Sequence, residues 1–205
     1  MMNAYRTVGA RLEIQPPDAA LAGAAWVDLL HPTEAEVAAV RALGIDVPTI
    51  EDMEEIEISN RLYREDGIDY MTAVLPGKTT AGEQIAAPVT FILTPSQVVT
   101  VRHHAPRPFE TYGMRADKVG PGCATPDLIF ISLMEEIIGR LADLLEGSGK
   151  GLDAVAREVY AEGERARAMS LQTALQRIGR GGEAISRVRL ALMTIERMVS
   201  YFGQT

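Results

Sequence analysis

The sequence contains a single cysteine and no long hydrophobic run. One cysteine, Cys123, excludes an intramolecular disulfide framework and a zinc site built from several cysteines. The most apolar runs, residues 89–93 and 128–134, fall far short of the roughly 20 apolar residues that cross a bilayer. The amino terminus lacks the apolar core and small-residue cleavage site of a signal peptide. We therefore expect a soluble chain.

Basic residues are also scarce. Twenty Lys and Arg residues face 28 Asp and Glu residues, so the formal net charge is −8. Binding of duplex nucleic acid depends on phosphate neutralisation by Lys and Arg, which excludes nucleic acid as the expected partner. A multivalent cation or a basic partner is better suited. The apolar fraction of 47% is that of a globular protein rather than a disordered one.

Catalytic motifs are absent from this sequence. The glycine-rich residues 147–151 lack the spacing and the hydroxyl residue of a phosphate-binding loop. His103 and His104 follow a predicted strand, where adjacent side chains point to opposite faces, so a surface or strand-capping role is favoured over metal binding. Cys123 has no neighbouring base and is expected to be inert. We predict that the chain is not an enzyme.

Residues 1–122 combine strand and helix patterns. Thr33 and Glu36 form a capping-box pattern that opens a helix ending at Gly44, and a second, acidic helix opens near Thr49. Residues 76–87 lack periodicity and are predicted to be a loop. The other predicted elements are a strand at 24–29, hairpins at 62–75 and 89–102, and a short helix at 106–116.

Residues 123–205 form a separate, helical part after the break at 120–122. Thr125 and Pro126 open a helix, residues 147–151 interrupt it, and it resumes to about residue 162. The glycines at 179–182 are expected to allow close helix packing or a bend. A second long helix then shows an a/d heptad seam that predicts packing against residues 126–162. The seam consists of Leu171, Leu175, Ile178, Ile185, Val188, Leu192, Ile195, Val199 and Phe202. Because no stop signal follows, we expect this helix to continue beyond Thr205.

The most informative cluster is acidic. Nine carboxylates lie within residues 46–69, opposed by Arg61 and Arg64 alone, which gives this acidic segment a net charge of −7. A solvated helix face would explain it. The alternative is a cation site, because Mg²⁺ binds through one or two carboxylates while keeping its waters. Such a cluster repels itself unless cations relieve it, so it could act as a cation-sensitive switch.

Several segments, in this order, resemble the cytoplasmic part of CorA-type divalent cation transporters. They are residues 26–29 with 32–36, residues 50–52, the strand at 70–75, the strand pair at 89–93 and 98–102, and a helical half that ends in residues 187–197. The resemblance implies an α/β fold, a three-layer α/β/α sandwich with a mixed sheet, followed by long antiparallel helices. It also implies a following stalk, membrane helices and pore motif, none of which is present in this sequence. We therefore expect a fragment of a longer transporter.

The resemblance also implies a regulatory cation site between subunits. Its acidic pair matches Glu51 and Asp52, and a further carboxylate falls at about Glu135. The opposing carboxylate would come from the neighbouring subunit's stalk, so this chain carries half of the site. The family's Arg-Pro-basic motif is replaced here by Ser59-Asn60-Arg61, which weakens the residue-by-residue match and leaves zinc-transporting relatives as an alternative.

These observations predict a regulatory domain that senses Mg²⁺, or Zn²⁺ or Co²⁺, and gates a pore. As the resemblance implies, it would assemble as a pentamer in the full-length protein, at the cytoplasmic face of the cell membrane. The fragment alone would be a monomer or weak oligomer. The alternative is a free-standing module that binds a partner helix through its seam. An α/β enzyme with an unrecognised site ranks third.

Overall fold

A seven-stranded sheet forms the centre of the molecule. The computed structural model describes residues 1–55, 57, 61–160 and 171–204. The strand order is β2-β1-β3-β7-β6-β5-β4, in which β3 and β7 are parallel and the other neighbours are antiparallel. The strands are β1 (Met2–Val8), β2 (Arg11–Ile14), β3 (Trp26–Leu30), β4 (Leu62–Glu65), β5 (Ile68–Lys78), β6 (Gln84–Leu93) and β7 (Val98–Arg102).

Helices cover both faces of this sheet. Strand alternation sends Trp26 to one face and Val27 to the other, so each face has its own hydrophobic core. One core contains side chains of α3 (Pro108–Arg115), α4 (Pro126–Tyr160) and α5 (Leu171–Phe202). The opposite core contains side chains of α1 (Glu34–Arg41) and α2 (Ile50–Glu54). The three-layer α/β/α arrangement with a mixed sheet and long helices is confirmed.

Local sequence signals mark several of these elements. Thr33 and Glu36 form the predicted capping box at the start of α1. The Leu128 amide donates to Thr125 Oγ1 at 3.3 Å, which caps α4 as expected. In the β4–β5 turn, Asp66 and Gly67 have φ values of 49° and 80°, the left-handed conformations that a tight two-residue hairpin requires. The first two strands, by contrast, were not predicted.

The predicted loop at 76–87 is wrong, because β5 and β6 remain paired from Asp69↔Leu93 to Lys78↔Gln84. Pro76 is tolerated because its nitrogen faces away from β6. The Thr72 and Val74 amides also point away from β6 and donate to the Arg61 carbonyl and to Thr194 Oγ1. Because the backbone amides of a strand alternate in direction, the nitrogen at position 76 points to the same side as those at 72 and 74. Because β4 begins at Leu62, opposite Met71, it does not reach Pro76, and the missing N–H of Pro76 costs no ladder hydrogen bond.

The predicted interruption at 147–151 is also wrong, because α4 is continuous. The Ser148 hydroxyl donates to the Leu144 carbonyl, and Lys150 pairs with Glu146 one turn earlier. Buried Leu141 and Val155 anchor the helix on both sides of the glycines. This tertiary packing outweighs the helix-propensity cost of about 1 kcal/mol per glycine.

The seam predicted on α5 is only partly buried. Of its nine residues, Val188 and Ile195 are buried, whereas Leu171, Leu175, Ile178, Ile185, Leu192 and Val199 are 38–75% exposed. The reason is that α5 carries two apolar rows. The row through Ala174, Val188 and Ile195 faces the core, and the row at seven-residue spacing from Leu171 to Val199 faces solvent.

Helix α4 is nevertheless the predicted antiparallel partner of α5. A Cβ placed on Gly181 would lie 3.1 Å from Leu152 Cδ2, so this glycine allows the close packing that the sequence predicts. The predicted helix end at residues 161–162 lies outside the described residues, as do Ser59, Asn60 and Thr205.

Candidate functional site

Helix α2 holds Asp52 in a defined position. The Thr49 amide and hydroxyl donate to Asp52 Oδ2 at 2.9 and 2.8 Å, and the Asp52 amide donates back to Thr49 Oγ1. These hydrogen bonds, the backbone one most strongly, lower the pKa of the Asp52 carboxyl below its usual value. Asp52 is therefore ionised at neutral pH. Glu51 beside it is exposed to solvent.

Two other carboxylates of the acidic segment are partly neutralised by arginines. Asp46 pairs with Arg41 at 3.0 Å, and the nearly buried Asp69 lies 3.7 Å from Arg64 Nε. Burial, followed by the charges of neighbouring groups that include Glu65, Asp46 and Asp52, raises the pKa of Tyr63 to about 12. The negative potential of the segment therefore extends across the Tyr63–Tyr70 stack, whose ring centroids are 4.8 Å apart.

Two histidines that sequence reasoning set aside lie beside α2. His31 and His103 follow the parallel neighbours β3 and β7, and their ring centroids are 5.5 Å apart. Burial and the charge of His31 lower the pKa of His103, while Glu51 and Glu54 oppose this shift. In the sequence, each histidine closely follows a predicted strand. Had the parallel pairing of these strands been known, the pair could have been predicted, because adjacent parallel strands end at the same edge of a sheet.

His104 does not have the predicted surface role. Its side chain is buried, Nε2 donates to the Leu75 carbonyl at 2.9 Å, and Nδ1 has no hydrogen-bond partner among the described residues. Burial lowers the pKa of His104 to about 4. Cys123 is also buried, with a raised pKa, which agrees with an inert thiol.

Glu135 lies in a different layer from Glu51 and Asp52. Neighbouring residues on α4 pack in the core on one face of the sheet, whereas α2 packs through Met53 on the opposite face. One copy of the chain therefore does not bring the three predicted metal-binding residues together. Across the described ranges, 1–55, 57, 61–160 and 171–204, no three His, Cys, Asp or Glu side chains converge on a possible metal position.

The chemistry open to the α2 surface is therefore hydrated cation binding. Two adjacent carboxylates, with no closed ligand cage, suit Mg²⁺, which usually keeps several of its waters. A full ligand set would need groups from a second molecule. The described helices contain none long and apolar enough to cross a membrane.

Known proteins share this combination of a mixed sheet and long helices. The family described as "CorA-like Mg2+ transporter protein" matches residues 22–202. The chain belongs to this family. The magnesium transport protein CorA of Yersinia pseudotuberculosis is 28% identical over 193 residues, which cover 93% of this chain and 60% of that protein. The chain thus spans about three fifths of the length of this CorA relative.

Solved structures show the same fold. The soluble domain of CorA from Methanocaldococcus jannaschii aligns with a TM-score of 0.59 and 8% identity, covering 99% of this chain and 95% of that one. The cytoplasmic domain of ZntB from Vibrio parahaemolyticus aligns with a TM-score of 0.52 and 10% identity, covering 99% and 98%. At such identities the likeness concerns the fold alone.

Proposed function

We propose that this chain is the cation-sensing regulatory domain of a CorA-like divalent cation transporter, placed at the cytoplasmic face of the cell membrane. Membership of the family across residues 22–202 supports a role in cation transport. The observation that carries the sensing role is the acidic segment, in which Asp52 is fixed and ionised beside the exposed Glu51.

The proposed sensor works between copies of the chain. A divalent cation bound at Glu51 and Asp52 relieves their repulsion and takes its remaining ligands from a neighbouring copy, where Glu135 is one candidate. Because Glu135 and α2 occupy opposite layers of one copy, only an assembly could place them at a shared ion. In the full-length pentamer that the family resemblance implies, loss of the cation would restore repulsion and loosen the ring.

We favour Mg²⁺ as the cation. Carboxylates suit Mg²⁺, whereas Zn²⁺ and Co²⁺ accept imidazole more readily. His31 and His103 beside α2 keep Zn²⁺ and Co²⁺ as alternatives, and ZntB shares the fold. Selectivity of transport would reside in a pore that this sequence does not contain.

Light scattering during size-exclusion chromatography tests the assembly step. The mass of the chain is measured in about 20 mM Mg²⁺, above the millimolar dissociation constants of weak carboxylate sites, and again with a chelator. Mg²⁺ should raise the mass of the wild-type chain, and Asp52→Asn together with Glu51→Gln should abolish the increase. Asp18→Asn, which neutralises an exposed carboxylate outside the acidic segment, serves as the control and should leave the increase intact. The same mass with and without Mg²⁺ would contradict bridging between copies.

One observation favours a second candidate, a helix-binding interaction module. The outer row of α5 exposes Leu171, Ile178, Ile185, Leu192 and Val199 at seven-residue spacing, the pattern of a coiled-coil seam. In this alternative a partner helix covers the row, and the acids serve only solubility.

The two candidates respond differently to mutation. Ile178→Ser with Ile185→Ser should abolish association in the second candidate, whether or not Mg²⁺ is present. In the sensor account, the acidic substitutions abolish the Mg²⁺-dependent mass increase. A mass that rises with Mg²⁺ and depends on Glu51 and Asp52 therefore favours the sensor.

A further inference from the structure

A polar cleft lies between α3 and α4, on the face of the sheet opposite the acidic helix α2. Its volume is about 510 Å³, within the range that small-molecule sites occupy. Its lining includes Arg107, the residue before α3, and Thr111 of α3. Lys118 lines it from the following loop, and Glu136 and Arg140 line it from α4. An adjoining hollow of about 460 Å³ shares Arg107, Thr111 and Arg140 and adds Lys78 from the end of β5.

The cations of this cleft are mostly unpaired. Within the described part of the chain, Lys78, Arg107 and Lys118 have no carboxylate oxygen within 4.0 Å. Arg140 lies 3.8 Å from Asp143, which is beyond hydrogen-bond distance. Three unpaired cations, Lys78, Arg107 and Lys118, and the loosely paired Arg140 thus line the two adjoining hollows.

The acidic residues of the cleft cancel most, but not all, of this charge. Glu136 Oε1 already accepts the Thr111 hydroxyl at 2.7 Å and lies 3.2 Å from Arg115 Nη1. That pair is partly buried, because the Glu136 side chain is 11% exposed. With Glu110, Glu135 and Asp143, the two hollows hold four carboxylates against five cations, a formal excess of one positive charge. This local excess contrasts with the net charge of −8 of the whole chain.

We propose that this cleft binds a phosphate-bearing small molecule. The Arg107 and Arg140 guanidinium groups can each donate two parallel hydrogen bonds to a phosphate, and the lysine ammonium groups supply point charges at either end. The two adjoining hollows, of about 510 and 460 Å³, have room for a nucleoside diphosphate. The cleft is separate from the acidic pair Glu51 and Asp52, since α2 and this cleft occupy opposite layers, and Glu135 is the one lining residue that the proposed cation sensor also uses.

Isothermal titration with inorganic pyrophosphate and with ADP tests the site, in chelator-treated buffer so that no divalent cation contributes. Both ligands should bind the wild-type chain at a stoichiometry near one. Arg107→Gln with Lys118→Gln should weaken binding about tenfold or more, as expected for the loss of charged hydrogen bonds. The matched double variant Arg6→Gln with Arg41→Gln removes the same charge from exposed positions outside the cleft and should bind normally. Tighter binding of ADP than of pyrophosphate would identify the ligand as a nucleotide. Equal binding of the two would show that the cleft recognises the diphosphate group alone.

Amide chemical-shift mapping locates the ligand without relying on any variant. Pyrophosphate should shift the amide signals of residues 107–120 and 135–143 and leave those of α2 unchanged. Absence of binding, equal weakening by the two double variants, or shifts spread over other surfaces would overturn the proposal.

Discussion

The Tyr201 hydroxyl donates a hydrogen bond to Asp69 Oδ1 at 3.3 Å and thereby joins the last turn of α5 to β5. Asp69 belongs to the acidic segment and also lies 3.7 Å from Arg64 Nε. Two turns earlier on α5, Thr194 Oγ1 accepts the Val74 amide at 3.0 Å. These polar contacts fix α5 against β5, and the one through Asp69 ties the acidic segment to the end of α5.

Tyr201→Phe should lower the free energy of unfolding by about 0.5–1.5 kcal/mol, because Asp69 loses a hydrogen-bond donor. Urea unfolding measures the change. Tyr63→Phe is the matched control, since no hydrogen bond from the Tyr63 hydroxyl occurs among the described residues, and it should have a smaller effect. Equal effects of the two substitutions would show that the Tyr201–Asp69 bond contributes nothing to stability.

Breaking the buried ion pair between Asp28 and Arg102 should cost far more stability than breaking an exposed pair. Arg102 Nη2 donates to Asp28 Oδ2 at 2.7 Å, and both side chains are at most 3% exposed. Asp28→Ala leaves a buried guanidinium without its partner and should cost about 3–5 kcal/mol in urea unfolding. Glu13→Ala breaks the exposed pair with Arg6 and should cost under about 1 kcal/mol. Similar losses for both would contradict this account.

Stability should fall between pH 7 and pH 5. The pKa of His104 is about 4 in the folded chain, against 6.5 for a free histidine, so the unfolded state binds the proton first as the pH falls. The free energy of unfolding should drop by about 2 kcal/mol over this window, and the lowered pKa of His103 acts in the same direction. His104→Gln should flatten the dependence measured by urea unfolding. An unchanged slope in that variant would assign the effect to other groups.

Gly77→Ala should be strongly destabilising. A Cβ at this position would lie 2.6 Å from His104 Cδ2 and 2.8 Å from the Pro106 nitrogen, and the backbone there cannot move without breaking the sheet. We expect a loss of about 1–3 kcal/mol, the usual cost of overpacking, in thermal or urea unfolding. Gly149→Ala, in open space on α4, should instead stabilise the chain by up to about 1 kcal/mol. A neutral Gly77→Ala would contradict the close approach.

Sequence reasoning succeeded where local chemistry decides the structure. The capping box at Thr33, the start of an acidic helix near Thr49 and the paired β-branched runs at 89–93 and 98–102 were all located from the sequence. It failed where tertiary packing decides. Pro76 indicates a loop from sequence alone, but β5 continues through it because no strand of the described residues pairs with that side of β5 there. The glycines at 147–151 indicate a helix break, but the packing of α4 keeps the helix continuous.

The candidate site shows the same limit. The acidic segment could be identified from composition, but the separation of Glu135 from α2 depends on which face of the sheet each helix covers. The two apolar rows of α5 are equally regular in sequence, so periodicity could not show that Val188 is buried and Ile185 exposed. Likewise, the meeting of His31 with His103 follows from the parallel pairing of β3 and β7, which no local pattern predicts.

Paramagnetic relaxation by Mn²⁺ tests the central claim, that α2 carries a divalent cation site. Mn²⁺ takes the same oxygen ligands as Mg²⁺ and broadens the amide signals near the place where it binds. In the 205-residue chain, substoichiometric Mn²⁺ should broaden the signals of residues 49–55, and excess Mg²⁺ should restore them. Glu51→Gln with Asp52→Asn should abolish the broadening, and Asp18→Asn should not. Signals of residues 49–55 that stay sharp, or broadening that survives in the double variant, would contradict the claim.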